Sequence, residues 1–249
     1  MPEGPSLVIM RDAAAKFRGQ TVRAVAGNSS LDLARMQGRQ VASVMSWGKH
    51  FLLEFGDFSL RVHMLMFGSY LVDADKAATP RVSLQFDNGV LHVYASSLTY
   101  IEGSLDETYD WRTDVMSPEW SPQRAHDKLR AQPRTLVCDA LLDQEIFAGV
   151  GNIIKNEVLF RIRLHPATPL GCVPTEQLDR LIAQAREYSF DFLRWRKQGV
   201  LKRHWQVHNR SACPACGGRL TRVTMGTRKR RTLFCNRCQP MSGGPLSLL

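Results

Sequence analysis

Cys213-Pro-Ala-Cys216 and Cys235-Asn-Arg-Cys238 stand 18 residues apart near the C-terminal end of the 249-residue chain. Two Cys-x-x-Cys pairs at this spacing are typical of a structural zinc site, in which two turns supply four thiolates to one tetrahedral ion. The segments 219–224 and 232–234 then predict the two arms of a β-hairpin that the metal holds. This part of the chain is therefore predicted to be a zinc finger.

Two histidines near this motif, His204 and His208, offer an alternative ligand pair. Four thiolates already complete a tetrahedron, so we interpret both histidines as surface or phosphate-contacting groups. The predicted hairpin tip, Gly226-Thr-Arg-Lys-Arg-Arg231, is rich in cations. The metal would hold the loop in its shape, and the cations of the loop would bind the partner of the protein.

The positive charge is concentrated in the same part of the chain. The net charge is +10, and the 58 residues from Phe192 to Leu249 contain 13 Lys and Arg and no Asp or Glu. The other 191 residues contain 20 basic and 23 acidic residues. Charge of one sign beside a metal motif predicts a polyanionic partner, and nucleic acid is the first choice.

The composition excludes several classes of protein. No apolar run approaches the roughly 20 residues that a membrane span needs, and the N-terminus lacks the pattern of a signal peptide. With 44% hydrophobic residues, the chain can build one large or two ordinary domains. We expect a soluble, cytoplasmic protein (nucleoid-associated if it is bacterial) that has no membrane partner.

The N-terminal stretch Met1-Pro2-Glu3-Gly4-Pro5 carries a chemical possibility of its own. Removal of Met1, which the small Pro2 favours, would leave a secondary amine with a pKa near ~7.7–8.0, far below the ~10.4 of lysine. Such an amine can attack an aldehyde carbon and form an iminium, and the Glu3 carboxyl group can move protons. On these five residues alone, an inert, frayed terminus is the better interpretation.

The first half of the chain reads as one helix followed by strands. Residues 5–18 show a helical apolar stripe, and a turn signal at Asp87-Asn88-Gly89 predicts a hairpin. The strand-like runs are residues 41–45, 51–55, 60–64, 82–86 and 90–94. This pattern predicts an N-terminal helix plus β-sandwich over 1–118.

The second half changes to helical periodicity. Ser121-Pro122 is typical of a helix N-cap followed by proline in the first turn. The predicted helices cover residues 123–131, 136–142, 153–160 and 176–197, and Gly199 would end the last. The sequence thus predicts an α+β multidomain protein, in which a helical domain (119–209), a zinc finger (210–239) and a flexible tail (240–249) follow the sandwich.

The combination of this N-terminus with a hairpin zinc finger resembles the formamidopyrimidine-DNA glycosylase / endonuclease VIII family. Four further stretches match the family in the same order. They are Gly48-Lys49, His63-Met-Leu-Met-Phe-Gly68, Ala148-Gly-Val-Gly-Asn152 and Gln206-Val-His-Asn-Arg210. The resemblance extends from Pro2 to Gln239 and implies a helix–two-turns–helix motif around residues 142–157.

The resemblance implies a bifunctional DNA repair enzyme that removes a damaged base from DNA, double-stranded by expectation, after flipping it out of the duplex. Pro2 would attack the sugar C1′, and Glu3 would protonate the ring oxygen and open the sugar. The iminium would then allow both phosphates to leave by β,δ-elimination. Lys49 would hold a phosphate and steady the local charge.

The resemblance also implies the residues that bind DNA. His63, Asn152 and Arg230 match positions that contact phosphates. Leu65, Met66 and Phe67 match a wedge that enters the strand and fills the space left by the flipped base. One structural Zn²⁺ would be held by Cys213, Cys216, Cys235 and Cys238.

Three departures from the family pattern bear on substrate choice. Ser6 stands where many members carry a second glutamate, and the wedge is more apolar than the Gln-Leu-Tyr type, which predicts weak discrimination of the opposite base. Only 13 residues, Val200 to Ala212, precede Cys213, too few for the longer capping loop of members that trap oxidised purines. We therefore expect an endonuclease VIII-like preference for oxidised pyrimidines, with abasic sites or bulky lesions as the alternative, and a monomer.

Two other classes of function remain open on the sequence alone. If Met1 stays on, the Pro2 nitrogen is an ordinary amide and the chain would be a non-catalytic DNA-binding protein on the same scaffold. A zinc-ribbon protein that binds RNA or the ribosome is the other alternative. The Pro2-Glu3 start and the apolar wedge argue against this alternative, because phosphate binding requires neither of them.

Overall fold

The computed structural model describes residues 2–241 and divides the chain into two compact units, Met1–Trp111 and Arg112–Leu249. The predicted tail 240–249 lies outside the described residues except for Pro240 and Met241. The finer predicted boundaries, 119–209 and 210–239, stay predictions.

The first unit begins with helix α1, Gly4–Ala14, which has Pro5 in its first turn. Proline suits this position because its missing N–H has no partner in the first turn anyway. The helix buries Leu7, Met10 and Ala14 in the core of the unit. The predicted helix to residue 18 ends earlier, in a 3-10 turn whose Phe17 ring stacks on Phe86 at 4.3 Å between centroids.

Six antiparallel strands form the sheet of the first unit, in the order β1-β5-β6-β4-β3-β2. They are β1 (Ala24–Ala26), β2 (Ser43–Trp47), β3 (His50–Glu54), β4 (Phe58–Val72), β5 (Val82–Phe86) and β6 (Gly89–Glu102). The two long strands β4 and β6 pair along their length, with β3 beside the first half of β4 and β5 beside the first half of β6. The long strands therefore join two halves of the sheet, and the predicted N-terminal helix and β-sandwich are confirmed. A short helix, α2 (Leu105–Thr108), follows the sheet.

A wide bulge interrupts the pairing of the two long strands. Met64 pairs with Ser96 and Ser69 with Tyr94, so four residues of β4 stand opposite Ala95 alone. Ala95 takes φ +47°, an uncommon value for a residue with a side chain. A Cβ on Gly68 would lie 2.9 Å from the Ala95 carbonyl oxygen, so glycine permits the bulge to close. The sequence places this segment at the end of a strand, whereas it lies inside one long strand.

Within residues 112–241, which the structure describes, the second unit contains four α-helices. They are α3 (Pro122–Arg130), α4 (Val137–Ala140), α5 (Asn152–Arg161) and α6 (Thr175–Lys197). The predicted cap is confirmed, because the Ser121 hydroxyl accepts a hydrogen bond from the Arg124 N–H at 3.2 Å. Gly199 takes φ +72° just beyond α6, as expected for a glycine that ends a helix.

The predicted hairpin is present as β7 (Thr221–Met225) and β8 (Arg230–Phe234), which pair antiparallel. Its tip is shorter than the sequence indicates. Arg230 pairs with Met225 at the start of β8, so the loop consists of residues 226–229 only. No helix among residues 2–241 is long and apolar enough to cross a membrane.

We predict that Gly68→Ala destabilises the first unit, because the new methyl group would meet the Ala95 oxygen and the Met64 Cβ at 2.9 Å. Overpacking of this kind costs about 1–3 kcal/mol. Chemical denaturation would measure the change in the free energy of unfolding. Ser97→Ala, at an exposed position of the neighbouring strand β6, is the control and should change it by less than about 0.5 kcal/mol. Equal stabilities for Gly68→Ala and the wild type would contradict the prediction.

Candidate functional site

The N-terminal residues are held in place by the start of α1. Glu3 is only 3% exposed and stands at the N-cap position with an extended backbone, φ −109° and ψ 168°. Its carbonyl oxygen accepts the Ser6 N–H at 2.8 Å, and Gly4 and Pro5 are buried. Pro2 is half-buried. Glu3 is thus a buried carboxyl residue at the start of α1, directly after Pro2 in the chain.

Lys49 lies in the two-residue turn between β2 and β3. Gly48 takes φ +52° at the first turn position, where glycine is favoured in two-residue hairpins. The next residue, His50, pairs with His63 of β4, and their rings lie 5.3 Å apart. The His63 ring is also hydrogen-bonded to the Lys49 backbone. Two residues predicted to contact phosphate, Lys49 and His63, are therefore neighbours.

The segment after α2 braces this turn from both sides. The Trp47 Nε1–H donates to the Asp110 carbonyl oxygen at 3.1 Å, and the Tyr109 hydroxyl is hydrogen-bonded to His50 Nδ1 at 3.1 Å. The Trp47 and Tyr109 rings are 4.7 Å apart. The residues on either side of the Gly48-Lys49 turn are thus fixed by side-chain contacts, although nothing in the sequence pattern pointed to Tyr109.

Both histidines beside Lys49 are kept neutral by their surroundings. Burial, followed by the proximity of His63, lowers the pKa of His50 to about 3. Burial and the positive charge of Lys49 lower the pKa of His63 as well. The positive charges of Lys49 and Arg61 both act on these two rings, so the site near Lys49 combines two cations with neutral hydrogen-bonding rings.

The bulge in β4 presents its three apolar residues to solvent. Leu65 is 48% exposed, Met66 68% and Phe67 85%. Adjacent exposed apolar side chains of this size are uncommon on a protein surface and mark a site of interaction.

In the second unit, Asn152 is the first residue of α5, and Gly151 occupies the N-cap position. The preceding loop is braced by Gln144, whose side chain bonds to the Leu142 and Val150 carbonyl oxygens and accepts the Gly149 N–H. The Asn152 side chain makes no hydrogen bond to any residue within 2–241. The NH₂ group of such a side chain can donate a hydrogen bond to an anion.

The cations at the hairpin tip differ in their contacts. The Arg228 guanidinium lies 3.8 Å from the Asp143 carboxylate, and Arg231 donates to the Asn209 side chain at 2.9 Å. Lys229 and Arg230 are exposed, and neither side chain has a hydrogen bond or ion pair with the residues that the structure describes. Arg230 therefore remains available to a ligand.

The four cysteines of the two pairs form one cluster. Their sulfur atoms all lie within 4.8 Å of one another, with Cys213 and Cys238 3.7 Å apart and Cys216 and Cys235 3.6 Å apart. A tetrahedral ion with metal–sulfur bonds of about 2.3 Å needs sulfur–sulfur distances of about 3.8 Å. The cluster can therefore hold a metal ion.

One interpretation of the histidines is wrong. His208 is buried, at 7% exposure, and burial lowers the pKa of its ring to about 4. Its backbone N–H donates to Glu157 at 2.7 Å, so the residue belongs to the interior. His204 is exposed and stacks on the Trp195 ring at 4.0 Å.

Comparison with known proteins finds a family match in each of the two units. The family description "Formamidopyrimidine-DNA glycosylase N-terminal domain" matches residues 1–98, and "Formamidopyrimidine-DNA glycosylase H2TH domain" matches residues 113–192. The chain belongs to the formamidopyrimidine-DNA glycosylase / endonuclease VIII family. Its similarity to several endonuclease 8-like proteins places it nearer the endonuclease VIII branch of that family.

Two relatives illustrate the range of similarity within the family. Endonuclease 8-like 3 of Xenopus laevis is 32% identical over 232 residues, which are 88% of this chain. The chain spans 38% of the length of that relative. The DNA-(apurinic or apyrimidinic site) lyase Nei2 of Mycolicibacterium smegmatis is 28% identical over 97% of this chain and 100% of its own length.

The fold also matches a solved member of the family. The crystal structure of Lactococcus lactis formamidopyrimidine-DNA glycosylase, bound non-covalently to DNA that contains an AP site, has a TM-score of 0.83. It is 21% identical in sequence, and the match covers 96% of this chain and 99% of that chain. At this level of identity the comparison establishes the fold.

We predict that the buried His50 makes this family member sensitive to acid. The His50 pKa is about 3 in the folded chain, against ~6.5 in an unfolded chain, so between these values only the unfolded chain takes up the proton. The free energy of unfolding should therefore fall as pH falls from ~6.5 towards 3. In His50→Gln, which cannot take up this proton, the decline should be shallower. The prediction would be contradicted if the free energy of unfolding fell by the same amount in both proteins between these pH values.

Proposed function

We propose that the protein is a bifunctional DNA glycosylase and AP lyase of base excision repair, with the amine of Pro2 as its nucleophile. The observation that carries the proposal is the ordered, buried start of α1, where Glu3 is 3% exposed beside Pro2. A reactive terminal amine needs a fixed position, because a displacement of about 1 Å can lower a rate about 10²-fold. The names of the relatives, which include an endonuclease and an AP lyase, agree with this chemistry.

The reaction would proceed through an iminium. The lone pair of the Pro2 nitrogen attacks the sugar C1′, the damaged base leaves with the bonding electrons, and Glu3 protonates the ring oxygen as the sugar opens. The iminium withdraws electrons, so loss of the C2′ proton expels the 3′ phosphate. A second elimination expels the 5′ phosphate. Water then adds to C1′ of the iminium, and cleavage of the C1′–N bond restores the amine.

The remaining candidate residues would hold the DNA backbone. Lys49 and His63 lie together in the first unit and would share a phosphate near the reacting sugar. In the second unit, Asn152 at the start of α5 and Arg230 on the hairpin would contact others. We assign α4, α5 and the turns between them to the helix–two-turns–helix motif. The 13 cations after residue 191 supply long-range attraction to DNA.

The exposed wedge fits the second requirement of the reaction, an extrahelical base. Leu65, Met66 and Phe67 would enter the strand and replace the stacking that the flipped base loses. None of them can hydrogen-bond the orphaned opposite base. The proposal therefore includes weak discrimination of that base.

The metal that best fits the cysteine cluster is one structural Zn²⁺. Four sulfur ligands at these distances suit tetrahedral zinc, and four protein ligands leave no open position for chemistry. Cys213, Cys216, Cys235 and Cys238 would hold the ion, which would supply the stability of the zinc finger. The preference for double-stranded DNA and the monomeric state stay predictions.

The substrate class proposed is oxidised pyrimidines, together with abasic sites. The 13 residues from Val200 to Ala212 leave little chain for a loop that could close over an oxidised purine. Ser6, half-buried beside Glu3, offers a hydroxyl in place of a carboxylate near the sugar. Both features favour an open pocket with few purine-specific contacts.

Borohydride trapping on an abasic-site duplex tests the nucleophile. We expect a covalent adduct whose mass places the DNA fragment on the nitrogen of Pro2 in protein that lacks Met1. In Pro2→Leu the larger residue keeps Met1, so the position-2 nitrogen becomes an amide and the terminal amine moves by about 3.8 Å. Trapping should then fall at least about 100-fold.

Two controls make the trapping result decisive. Ser6→Ala leaves the amine and Glu3 unchanged and should be trapped like the wild type. Glu3→Gln should lose release of a damaged base more than cleavage at a preformed abasic site, where the base is already absent. If protein with a verified Pro2 terminus binds the DNA and forms no adduct, it is a non-catalytic binder and the proposal is wrong.

Lesion preference is tested by single-turnover base release from duplexes that differ only in the lesion. Thymine glycol should be released at least about tenfold faster than 8-oxoguanine, which corresponds to about 1.4 kcal/mol of transition-state stabilisation. Changing the base opposite thymine glycol should alter the rate little. A preference for 8-oxoguanine would refute the proposed substrate class and leave the proposed nucleophile intact.

A further inference from the structure

We infer that Asp139 is a positioning residue for the hairpin tip, because its carboxylate holds the tip backbone and so fixes where Arg230 stands. This inference rests on the proposed function only for the role of Arg230 on phosphate. Its structural part stands on contacts within the second unit.

The Asp139 carboxylate contacts the tip directly. Asp139 lies on α4 and is 7% exposed. Its Oδ2 accepts the backbone N–H of Thr227 at 2.9 Å, and its Oδ1 lies 3.5 Å from the backbone N–H donor of Arg228. Hydrogen bonds to an ionised acceptor are stronger than those between neutral groups, so the first of these bonds is a substantial anchor.

The geometry of the tip turn explains why these two donors need an outside acceptor. The turn closes with a bond from the Lys229 N–H to the Gly226 carbonyl oxygen at 3.1 Å, and Gly226 and Lys229 take φ values of +78° and +46°. Met225 and Arg230 form the last pair of the ladder. The N–H groups of the two central residues thus have no partner across the hairpin, and Asp139 provides one.

Gly226 and Asp139 fit each other closely. A Cβ on Gly226 would lie 2.2 Å from Asp139 Oδ1 and 2.7 Å from the other two carboxyl atoms. Any larger residue would push the tip off the carboxylate, in addition to the strain of a positive φ. The chain therefore carries glycine where the backbone must approach Asp139 closely.

The metal cluster is too distant to fix the tip by itself. Arg230 stands five residues before Cys235, a distance of about 17 Å along an extended strand. An isolated two-stranded hairpin is at best marginally stable in water, so its far end needs a support of its own. Asp139 supports the tip, while Lys229 and Arg230 are left without partners among residues 2–241.

Asp139→Asn tests the inference in the zinc-loaded, full-length protein. Binding is measured to a duplex that contains a tetrahydrofuran abasic analogue, and turnover to an abasic-site duplex. We expect about tenfold weaker binding, a matching rise in KM and little change in kcat, because the reacting groups are untouched. Bound zinc should remain at one ion per chain.

A double-mutant cycle separates a positioning role from a merely structural one. If Asp139 acts through Arg230, then Asp139→Asn adds no further loss of affinity to Arg230→Ala. Full additivity of the two losses would overturn the inference. If Arg230→Ala binds as tightly as the wild type, the proposed phosphate contact of Arg230 is wrong.

Amide hydrogen exchange decides the structural part independently of DNA. The Thr227 and Arg228 amides should exchange slowly in the wild type and at least about tenfold faster in Asp139→Asn. Unchanged exchange would overturn the inference whatever DNA binding shows. Gly226→Ala should reproduce the loss of affinity. Gly199→Ala is the matched control, because Gly199 has a similar φ of +72° with nothing within 4 Å of an added Cβ, and its DNA binding should be unchanged.

Discussion

The second unit depends on a row of three polar side chains that are wholly buried on α5. Lys155, Asn156 and Glu157 each have 0% exposure. Successive helix residues point about 100° apart, so the helix is enclosed over a wide arc. Buried charges are tolerated only with hydrogen-bonding partners. Lys155 donates to the Thr232 hydroxyl at 2.8 Å, and the Glu157 carboxylate accepts three backbone N–H groups from residues 206–208 at 2.7 to 3.0 Å. The segments around the cysteine cluster must therefore dock on α5, since leaving these groups unpaired would destabilise the unit strongly.

As a result of this docking, the hairpin is held at three places, namely its base, its middle and its tip. The cysteine cluster holds its base, Asn156 contacts β8 in the middle by accepting the Leu233 N–H at 3.3 Å, and Asp139 holds the tip. Each point uses a different group, namely the four thiols, the neutral side-chain amide of Asn156 and the carboxylate of Asp139. If the proposed metal were lost, the base would loosen first, while the tip would keep its own contact. The proposed phosphate contact of Arg230 would benefit from this arrangement, because less ordering would remain to be done when DNA binds.

Patterns that depend on neighbouring residues could be predicted from the sequence, and contacts between distant residues could not. The cysteine spacing predicted the cluster, and Ser121-Pro122 predicted the start of α3, because both are set by local chain geometry. The buried position of His208 depends on Glu157, which is 51 residues away. The contact of Asp139 with the tip spans 88 residues. The bulge in β4 could not be predicted from the sequence for another reason. A run of apolar residues before a glycine is compatible with the end of a strand and with an interruption inside one, and only the pairing with β6 distinguishes them.

Local and distant contacts also act together at the start of α1. Chain ends usually fray because few contacts oppose their entropy. Here the terminus leads directly into α1, whose Leu7, Met10 and Ala14 belong to the core of the first unit. Pro5, in the first turn, restricts the backbone before any contact forms. The burial of Glu3 restricts the residue at the N-cap. The backbone at Pro2 and Glu3 is therefore positioned by the packing of the helix. If Pro2 is the nucleophile proposed above, it would reach its target without a further loss of chain entropy, which is the condition under which a single amine can be an effective catalyst.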